Sequence, residues 1–342
     1  MSNARVHRAP NTKIKVIMGN MLNVMDYKQL SSMDNLNDFT TYLARNTHYA
    51  AAIPVDCDYD SIELKIKEHM LAYFDKLYYY YIDEYREFFL SVMMRYQVEN
   101  IKLCLRAVVR GEDSSTVYKQ RIHFKTYPLI DCNRLDNVDD VGEFIDRLAD
   151  TKYHDVLKRY TNEDPSKILF YMEMALDRLY FEQVYESMIK LDKRDRNLNL
   201  ELYGINVDLL NIQWIYRGRK YFGISAEELF NFTLNNGFRY NYKQLKEFCY
   251  MELDSFKLII SQGAYKSMFE GQEFLMERNM EHYLFNLLDE YGRRGSGTIL
   301  VFIVFMFKME YEMRDLFTIM EGIQYKIPGI AQFLVRDLER RN

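Results

Sequence analysis

The stretch YGINVDLLNIQWIYRGRKYFG, residues 203–223, decides the fold class. Its apolar residues Ile205, Leu209, Ile212 and Tyr216 recur at intervals of four, three and four residues. Because an α-helix completes a turn about every 3.6 residues, these four positions share one face. The stretch therefore predicts an amphipathic helix with a buried apolar stripe.

Two polar residues of the same predicted helix, Asn211 and Arg217, lie six residues apart. Six residues advance a helix by about 600°, which leaves the two side chains about 120° apart, so they cannot form one compact acid–base pair. Asp208, three residues before Asn211, shares its face. We expect structural roles: an inter-helix hydrogen bond for Asn211, and for Arg217 a place near the negative end of the helix dipole, with Gly218 ending the helix.

The same polar pattern occurs three times along the chain. In each copy an Asn or Asp is followed six residues later by a charged residue and is preceded three residues earlier by an acidic or amide residue. The copies are Gln97, Asn100 and Arg106; Asp208, Asn211 and Arg217; and Glu312, Asp315 and Glu321. The third copy departs from the first two because acidic residues replace both the Asn and the Arg.

A second signature, ending in a tyrosine, precedes each copy. The pairs are Thr47 and Tyr49, Thr151 and Tyr153, and Gly263 and Tyr265. Two signatures that recur in the same order, three times and at similar spacing, predict three copies of one helical unit of about 105–110 residues. We place the three helical repeats at residues 1–128, 129–235 and 236–342.

Composition also favours an all-α fold. The chain has 342 residues, 48% of them hydrophobic, but only 14 Gly and 5 Pro. Few turn-forming residues predict long helices and few loops. Ser61–Tyr96 lacks both residue types and predicts one very long helix or two with a kink. Four consecutive tyrosines, Tyr78–Tyr81, predict rings enclosed by neighbours on every side. The apolar run Ile299–Phe307 predicts a fully buried helix, since it is too short to span a bilayer.

Charge, cysteine and histidine exclude several function classes. A formal net charge of −5 argues against a general nucleic-acid binder. The four cysteines lie far apart, without metal-ligand spacing, which predicts free thiols and is typical of a reducing compartment. The six histidines show no spacing typical of zinc ligands. We therefore predict no catalytic residue, no metal site and no cofactor.

A helical enzyme is the sharpest catalytic alternative. The segment DNVDD supplies Asp136, Asp139 and Asp140, but in a different order from the aspartate-rich motif that binds Mg²⁺ and diphosphate in terpene synthases. An acidic linker or a helix cap explains these residues better. The segments DCDYDS and GRRGSG likewise lack the residues that complete a calcium loop or a phosphate-binding loop.

With both signatures in view, the sequence resembles the C subunit of the A/V-type rotary ATPases, which is the d subunit of the eukaryotic enzymes. The stretches that carry the resemblance are LNDFTTYLARNTHY, ENIKLCLRAVVRG and DLLNIQWIYRGRKYFGISAEEL, the last with a helix start at Ser225, Glu227 and Glu228. The resemblance covers essentially the whole chain. It implies an all-α fold of three similar helical-bundle modules around a pseudo-threefold axis, shaped like a funnel.

The resemblance also implies a non-catalytic rotor protein, peripheral and on the cytoplasmic side of the membrane. Such a protein is a socket that couples the central shaft, made of the D and F subunits, to the proteolipid ring that transports protons or sodium. The membrane stator is a further candidate partner; nucleic acid and a membrane span are not expected. The alternative is a free-standing helical-repeat scaffold that binds another protein, although such solenoids stack many shorter repeats.

Overall fold

The computed structural model describes residues 6–54, 57, 59–112, 117, 120–123, 126–127, 130–138, 140–164 and 167–339. Within these residues the chain is all helical and has no strand, which confirms the predicted fold class. The described α-helices, numbered in chain order, are α1 (Arg8–Gly19), α2 (Val24–Ser31), α3 (Leu36–Asn46), α4 (Tyr59–Tyr78), α5 (Asp83–Arg110), α6 (Val141–Asp146), α7 (Lys152–Leu157), α8 (Ile168–Met188), α9 (Lys193–Tyr221), α10 (Ala226–Phe232), α11 (Tyr242–Tyr250), α12 (Leu253–Gln262), α13 (Met276–Arg294) and α14 (Leu300–Gln324). Short 3-10 helices include His48–Ala51, Lys266–Phe269 and Ile330–Phe333.

The chain divides into two compact units. One comprises residues 71–191, and the other comprises residues 1–70 and 192–342, which brings the N-terminal and C-terminal stretches into one unit. The predicted division into three repeats, and their arrangement around an axis, stays a prediction. The boundary predicted near residue 129 lies in a segment that is described only in part.

In the unit of residues 71–191, helices α5 and α8 run antiparallel along most of their length. The Oγ atoms of Ser91 and Ser187 lie 2.6 Å apart near one end, and Arg106 Nε donates to Glu173 Oε1 at 2.5 Å near the other. The apolar faces of both helices are buried, with Phe88, Phe89 and Met172 almost fully enclosed. These two paired helices form the central frame of the unit.

In the other unit, the N-terminal segment packs on the last long helix. Tyr27, Phe39 and Leu43 form one apolar cluster with Leu316 and Ile319, all fully buried. Residues 299–306 are buried throughout, whereas Phe307 is half-buried, so the prediction of a fully buried run holds for all but its last residue. In the described part of the chain, no helix combines the length and the apolar character that crossing a membrane requires.

The long Gly- and Pro-free run forms two helices, α4 and α5, joined by residues 79–82. The prediction of four enclosed tyrosine rings is wrong in part. Tyr81 is buried, but Tyr79 is 69% exposed and Tyr80 is 39% exposed. The helix ends at Tyr78, so the next two rings project beyond the packed surface rather than between neighbouring helices.

Helix starts follow the predicted capping chemistry. The Ser225 side chain accepts from the Glu228 amide, and the Glu228 side chain accepts from the Ser225 amide, which is the capping box expected at this position. Asp140 caps α6 by accepting from the Glu143 amide at 2.9 Å. Asp136 accepts from buried Arg121. Both aspartates of DNVDD that the structure describes are therefore used structurally; Asp139 lies outside the described residues.

Candidate functional site

Each predicted tyrosine donates its hydroxyl to one of the acidic or amide residues found three positions before the Asn or Asp. All three tyrosines are at most 1% exposed. The bonds are Tyr153 to Gln97 at 2.8 Å, Tyr265 to Asp208 at 2.7 Å and Tyr49 to Glu312 at 3.0 Å. We call each set of acceptor, tyrosine and Asn or Asp a clamp. The same bond thus recurs at three places in the chain.

In the sequence, each tyrosine signature precedes one copy of the polar pattern. In the structure, the tyrosine does not bond the copy that follows it. Tyr153 lies 56 residues after its acceptor and Tyr265 lies 57 residues after its acceptor. Tyr49, however, lies 263 residues before Glu312. Two clamps therefore close local stretches of chain, whereas the third ties the N-terminal segment to the C-terminal helix.

A short element positions each tyrosine. Thr47 and Thr151 accept from the backbone amides of Tyr49 and Tyr153, both at 3.2 Å. The third copy has Gly263 in place of the Thr and lacks this bond. Before each tyrosine, a Phe and a Leu or Ile four residues later are fully buried; they are Phe39 and Leu43, Phe144 and Leu148, and Phe256 and Ile260. This Phe-x-x-x-Leu/Ile signal is absent from the predicted signatures, although its spacing is readable from the sequence.

The Asn of the first two clamps binds both polar groups of one backbone residue. Asn100 donates to the Ile122 carbonyl at 2.6 Å and accepts from the Ile122 amide at 2.9 Å. Asn211 makes the same pair of bonds with Leu234, at 2.9 Å and 2.8 Å. Only a side-chain amide offers a donor and an acceptor in this geometry. The partner is a connecting segment rather than the neighbouring helix that we expected from the sequence.

In the third clamp, three side chains replace the single Asn that binds the connecting segment. Asp315 accepts from the Val335 amide at 2.6 Å, but a carboxylate cannot donate to the Val335 carbonyl. The ring of His282 bonds that carbonyl instead, through Nδ1 at 2.6 Å. The second oxygen of Asp315 accepts from Arg336 Nε at 2.8 Å. These partners explain why Asp replaces Asn in this copy.

The charged residue six positions later pairs across helices in the first two copies. Arg106 bonds Glu173, and Arg217 bonds Glu277. Arg106 lies in the penultimate turn of α5, and Gly111 ends this helix at φ 66°. The prediction that Gly218 ends its helix is wrong, because α9 continues to Tyr221. Close packing requires that glycine: an added Cβ would lie 2.4 Å from Leu229 Cδ2.

Burial keeps the hydroxyls of two clamp tyrosines protonated. Burial raises the pKa of Tyr153, and burial together with Asp208 raises the pKa of Tyr265, so both hydroxyls stay protonated donors. Burial raises the pKa of Asp208, while bonds from Tyr265 and from backbone amides oppose the rise. These two clamps therefore hold fixed hydrogen bonds rather than groups poised for proton transfer.

Two cysteine thiols are also unreactive. Burial raises the pKa of Cys132 and Cys249 to about 12, so neither thiol is a ready nucleophile. None of the four cysteines, all of which lie in the described ranges, forms a disulfide, as predicted. No group of His, Cys, Asp and Glu within the described ranges has an arrangement that could hold a metal ion.

A glycine inside α9 lets the second clamp form, and it yields a prediction. Phe238 donates its amide to the Gly204 carbonyl at 3.1 Å, and an added Cβ at Gly204 would lie 2.8 Å from the Phe238 nitrogen. The next two amides, of Arg239 and Tyr240, bond Asp208. We expect Gly204→Ala to lower the free energy of unfolding by about 1–3 kcal/mol, because the backbone must move.

The sign of this effect is the test, since Gly→Ala inside a helix ordinarily stabilises by about 1 kcal/mol. The control is Gly19→Ala in α1, where an added Cβ meets no atom within 4 Å. Thermal unfolding of both variants gives the comparison. A Gly204→Ala protein as stable as the Gly19→Ala protein would contradict the close approach.

Comparisons with known proteins point to one family. A family model described as ATP synthase (C/AC39) subunit matches residues 10–329. The chain is 20% identical to the C subunit of the A-type ATP synthase of Methanosarcina mazei over 244 residues, which are 70% of this chain and 66% of that protein. It is 26% identical to the corresponding protein of Methanocaldococcus jannaschii over 180 residues, 52% of this chain and 42% of that protein. The chain thus spans less than two thirds of the length of these relatives.

Proposed function

Because the chain belongs to the ATP synthase (C/AC39) subunit family, we propose that it is a non-catalytic rotor subunit of an A/V-type ATPase. The match of the family model over residues 10–329 is the observation that carries this proposal. The curated relatives are named as the C subunit of A-type ATP synthases. The proposed place of the protein is peripheral, on the cytoplasmic side of the membrane.

In the proposed role the protein is a socket between two rotating parts. One face receives the tip of the central shaft, formed by the D and F subunits, and the other face docks on the proteolipid ring. The membrane stator is a further candidate neighbour. ATP hydrolysis or synthesis takes place elsewhere in the complex, and this protein passes torque between the shaft and the ring that transports protons or sodium.

The clamps support a torque-bearing role. A part that transmits torque must resist deformation, and close-packed interiors transmit strain because they have low compressibility. Each clamp ties a long helix to two distant segments through buried hydrogen bonds, which cost free energy to break. The third clamp also holds the N-terminal segment on α14. Such buried bonds would help each predicted module to resist deformation.

The test is assembly with purified partners from the same organism. We expect the tagged full chain to co-elute in size-exclusion chromatography with a complex of the D and F subunits, and to bind the detergent-solubilised proteolipid ring. The ATP-hydrolysing head prepared without the shaft is the control and should not bind. The proposal would be overturned if the folded protein eluted separately from the D and F complex and also failed to bind the proteolipid ring.

A further inference from the structure

Two histidines and a glutamate form a hydrogen-bonded chain at the third clamp. His48 Nε2 lies 2.6 Å from Glu312 Oε1, and His48 Nδ1 lies 2.9 Å from His69 Nε2. The side chain of His48 is 7% exposed and that of Glu312 is fully buried. His48 follows the Thr that caps the clamp tyrosine, His69 lies on α4, and Glu312 lies on α14. The chain therefore links three separate elements.

Glu312 holds the N-terminal segment through further donors. Its Oε2 accepts from the Leu22 amide at 2.8 Å and from the Tyr27 hydroxyl at 3.5 Å, and its Oε1 accepts from Tyr49. Two further charged groups act on the Tyr27 hydroxyl together with Glu312: Asp315, one turn along α14, and Arg336, whose guanidinium lies 3.8 Å from the centre of the Tyr27 ring. These hydrogen-bond partners of Glu312 all lie on the segment between Leu22 and Tyr49.

Two neighbouring groups, Tyr27 and Arg336, keep their charge state as the pH falls from neutral. Burial raises the pKa of Tyr27 well above its ordinary value, so the phenol stays neutral. Burial opposes the charge of Arg336, but Tyr27, Asp315 and Glu312 together raise its pKa, so it stays a cation. Imidazole titrates nearest to neutral pH of all side chains. Burial also raises the pKa of Asp315, so acidification can add protons to this carboxylate as well as to the two imidazoles.

The His69–His48 contact can form when the two rings carry one added proton, but not when they carry two. With both rings neutral, His69 Nε2–H donates to His48 Nδ1, and His48 Nε2–H donates to Glu312. One added proton makes His48 an imidazolium that donates to both Glu312 and the His69 nitrogen. If both rings are protonated, two N–H donors and two positive charges face each other across the 2.9 Å contact. That contact must then break.

The other two clamps have no counterpart of the His69–His48–Glu312 hydrogen-bonded chain at the position of His48. The position of His48 is taken by Lys152 in one of the other copies and by Ala264 in the other. The Lys152 amine donates to Gln183 at 3.1 Å. In those two clamps a short stretch of chain connects the tyrosine to its acceptor, whereas Glu312 holds a segment that no local connection keeps in place.

We propose that the His69–His48–Glu312 chain is a pH-dependent latch, which holds residues 22–53 on α14 while the two imidazoles carry at most one proton and releases them when both are protonated. The latch is a regulatory device of the fold and does not depend on the rotor role. In any assembly that contains the protein, acidification would loosen the attachment of the N-terminal segment without unfolding residues 71–191.

Hydrogen exchange of the full chain, followed by mass spectrometry, tests the latch. Between about pH 7 and about pH 4.5, after correction for intrinsic exchange, we expect protection of residues 22–53 to fall at least about ten-fold more than protection of α5. His69→Gln keeps an N–H donor toward His48 but cannot be protonated, so this variant should lose the acid-induced change. His154→Gln, in the other unit, is the matched control and should behave as the wild type.

Two results would overturn the proposal: protection of residues 22–53 that does not change with pH in the wild type, or the same acid-induced change in His69→Gln. If the His69→Gln variant does not fold, nitrogen-15 NMR spectra of the histidines in the wild-type protein provide a second test. We expect the signals of the two rings to change together, and to do so where protection of residues 22–53 is lost. Independent titration of the two rings would also overturn the latch.

Discussion

Replacing Glu312 with Ala is expected to lower the free energy of unfolding by about 3–5 kcal/mol, because several buried donors lose their acceptor together. The Leu22 amide, the Tyr49 hydroxyl and the His48 ring all bond this carboxylate, which is fully buried. Since 263 residues separate Tyr49 from Glu312, no short stretch of chain holds the N-terminal segment against α14. Urea denaturation followed by circular dichroism measures the change.

Glu321→Ala is the matched control for this prediction. Glu321 lies on the same helix but is exposed, so its replacement should change the free energy of unfolding by no more than about 0.5 kcal/mol. Hydrogen exchange should also show that the Glu312→Ala variant loses protection first in residues 22–53. Equal stability of the two variants would mean that Glu312 does not hold the N-terminal segment.

The sequence predicted the helical elements because their signals are local. Ile205, Leu209, Ile212 and Tyr216 share a face at helical spacing, and all four are buried in α9. The capping box at Ser225 needs only two residues three positions apart. The resemblance to the C subunit of the A/V-type ATPases is likewise confirmed by the family model.

The partners within the clamps could not be predicted, because they are set by tertiary contacts. Spacing shows that a tyrosine and an Asn recur, but not that Tyr49 bonds a residue 263 positions away. The same limit applies to Gly218, whose small size matters only because Leu229 packs against it. Exposure of Tyr79 depends on where α4 ends, which four consecutive tyrosines do not reveal.

The departure of the third copy has the same explanation. From the sequence, Asp315 in place of Asn leaves any shared role doubtful. In the structure, His282 supplies the missing donor from 53 residues before Val335, and Arg336 neutralises the carboxylate from 21 residues after Asp315. Compensation by distant residues preserves the attachment of the connecting segment while changing its chemistry. Removing one of these compensating residues should therefore destabilise the third clamp, and the effect should depend on the charge of Asp315.

Replacing Arg336 with Met should cost about 3–5 kcal/mol, because it leaves the buried Asp315 carboxylate without its cation. Asp315 is fully buried, and the Arg336 guanidinium also lies over the Tyr27 ring. Burial already raises the pKa of Asp315, and Arg336 opposes the rise. Without Arg336 the folded-state pKa rises further above the unfolded value, so the variant should lose stability as pH rises from about 5 to about 8.

A second substitution distinguishes lost charge pairing from lost packing. Adding Asp315→Asn to Arg336→Met restores the neutral amide of the first two clamps, whose oxygen can accept from the Val335 amide without a counter-charge. We expect the double variant to regain at least about 2 kcal/mol over Arg336→Met and to lose most of its pH dependence.

Arg293→Met, at an exposed position of α13, is the control for the Arg→Met change itself. Urea denaturation at both pH values measures all three variants. A double variant no more stable than Arg336→Met would show that packing of the arginine, rather than neutralisation of Asp315, holds the third clamp.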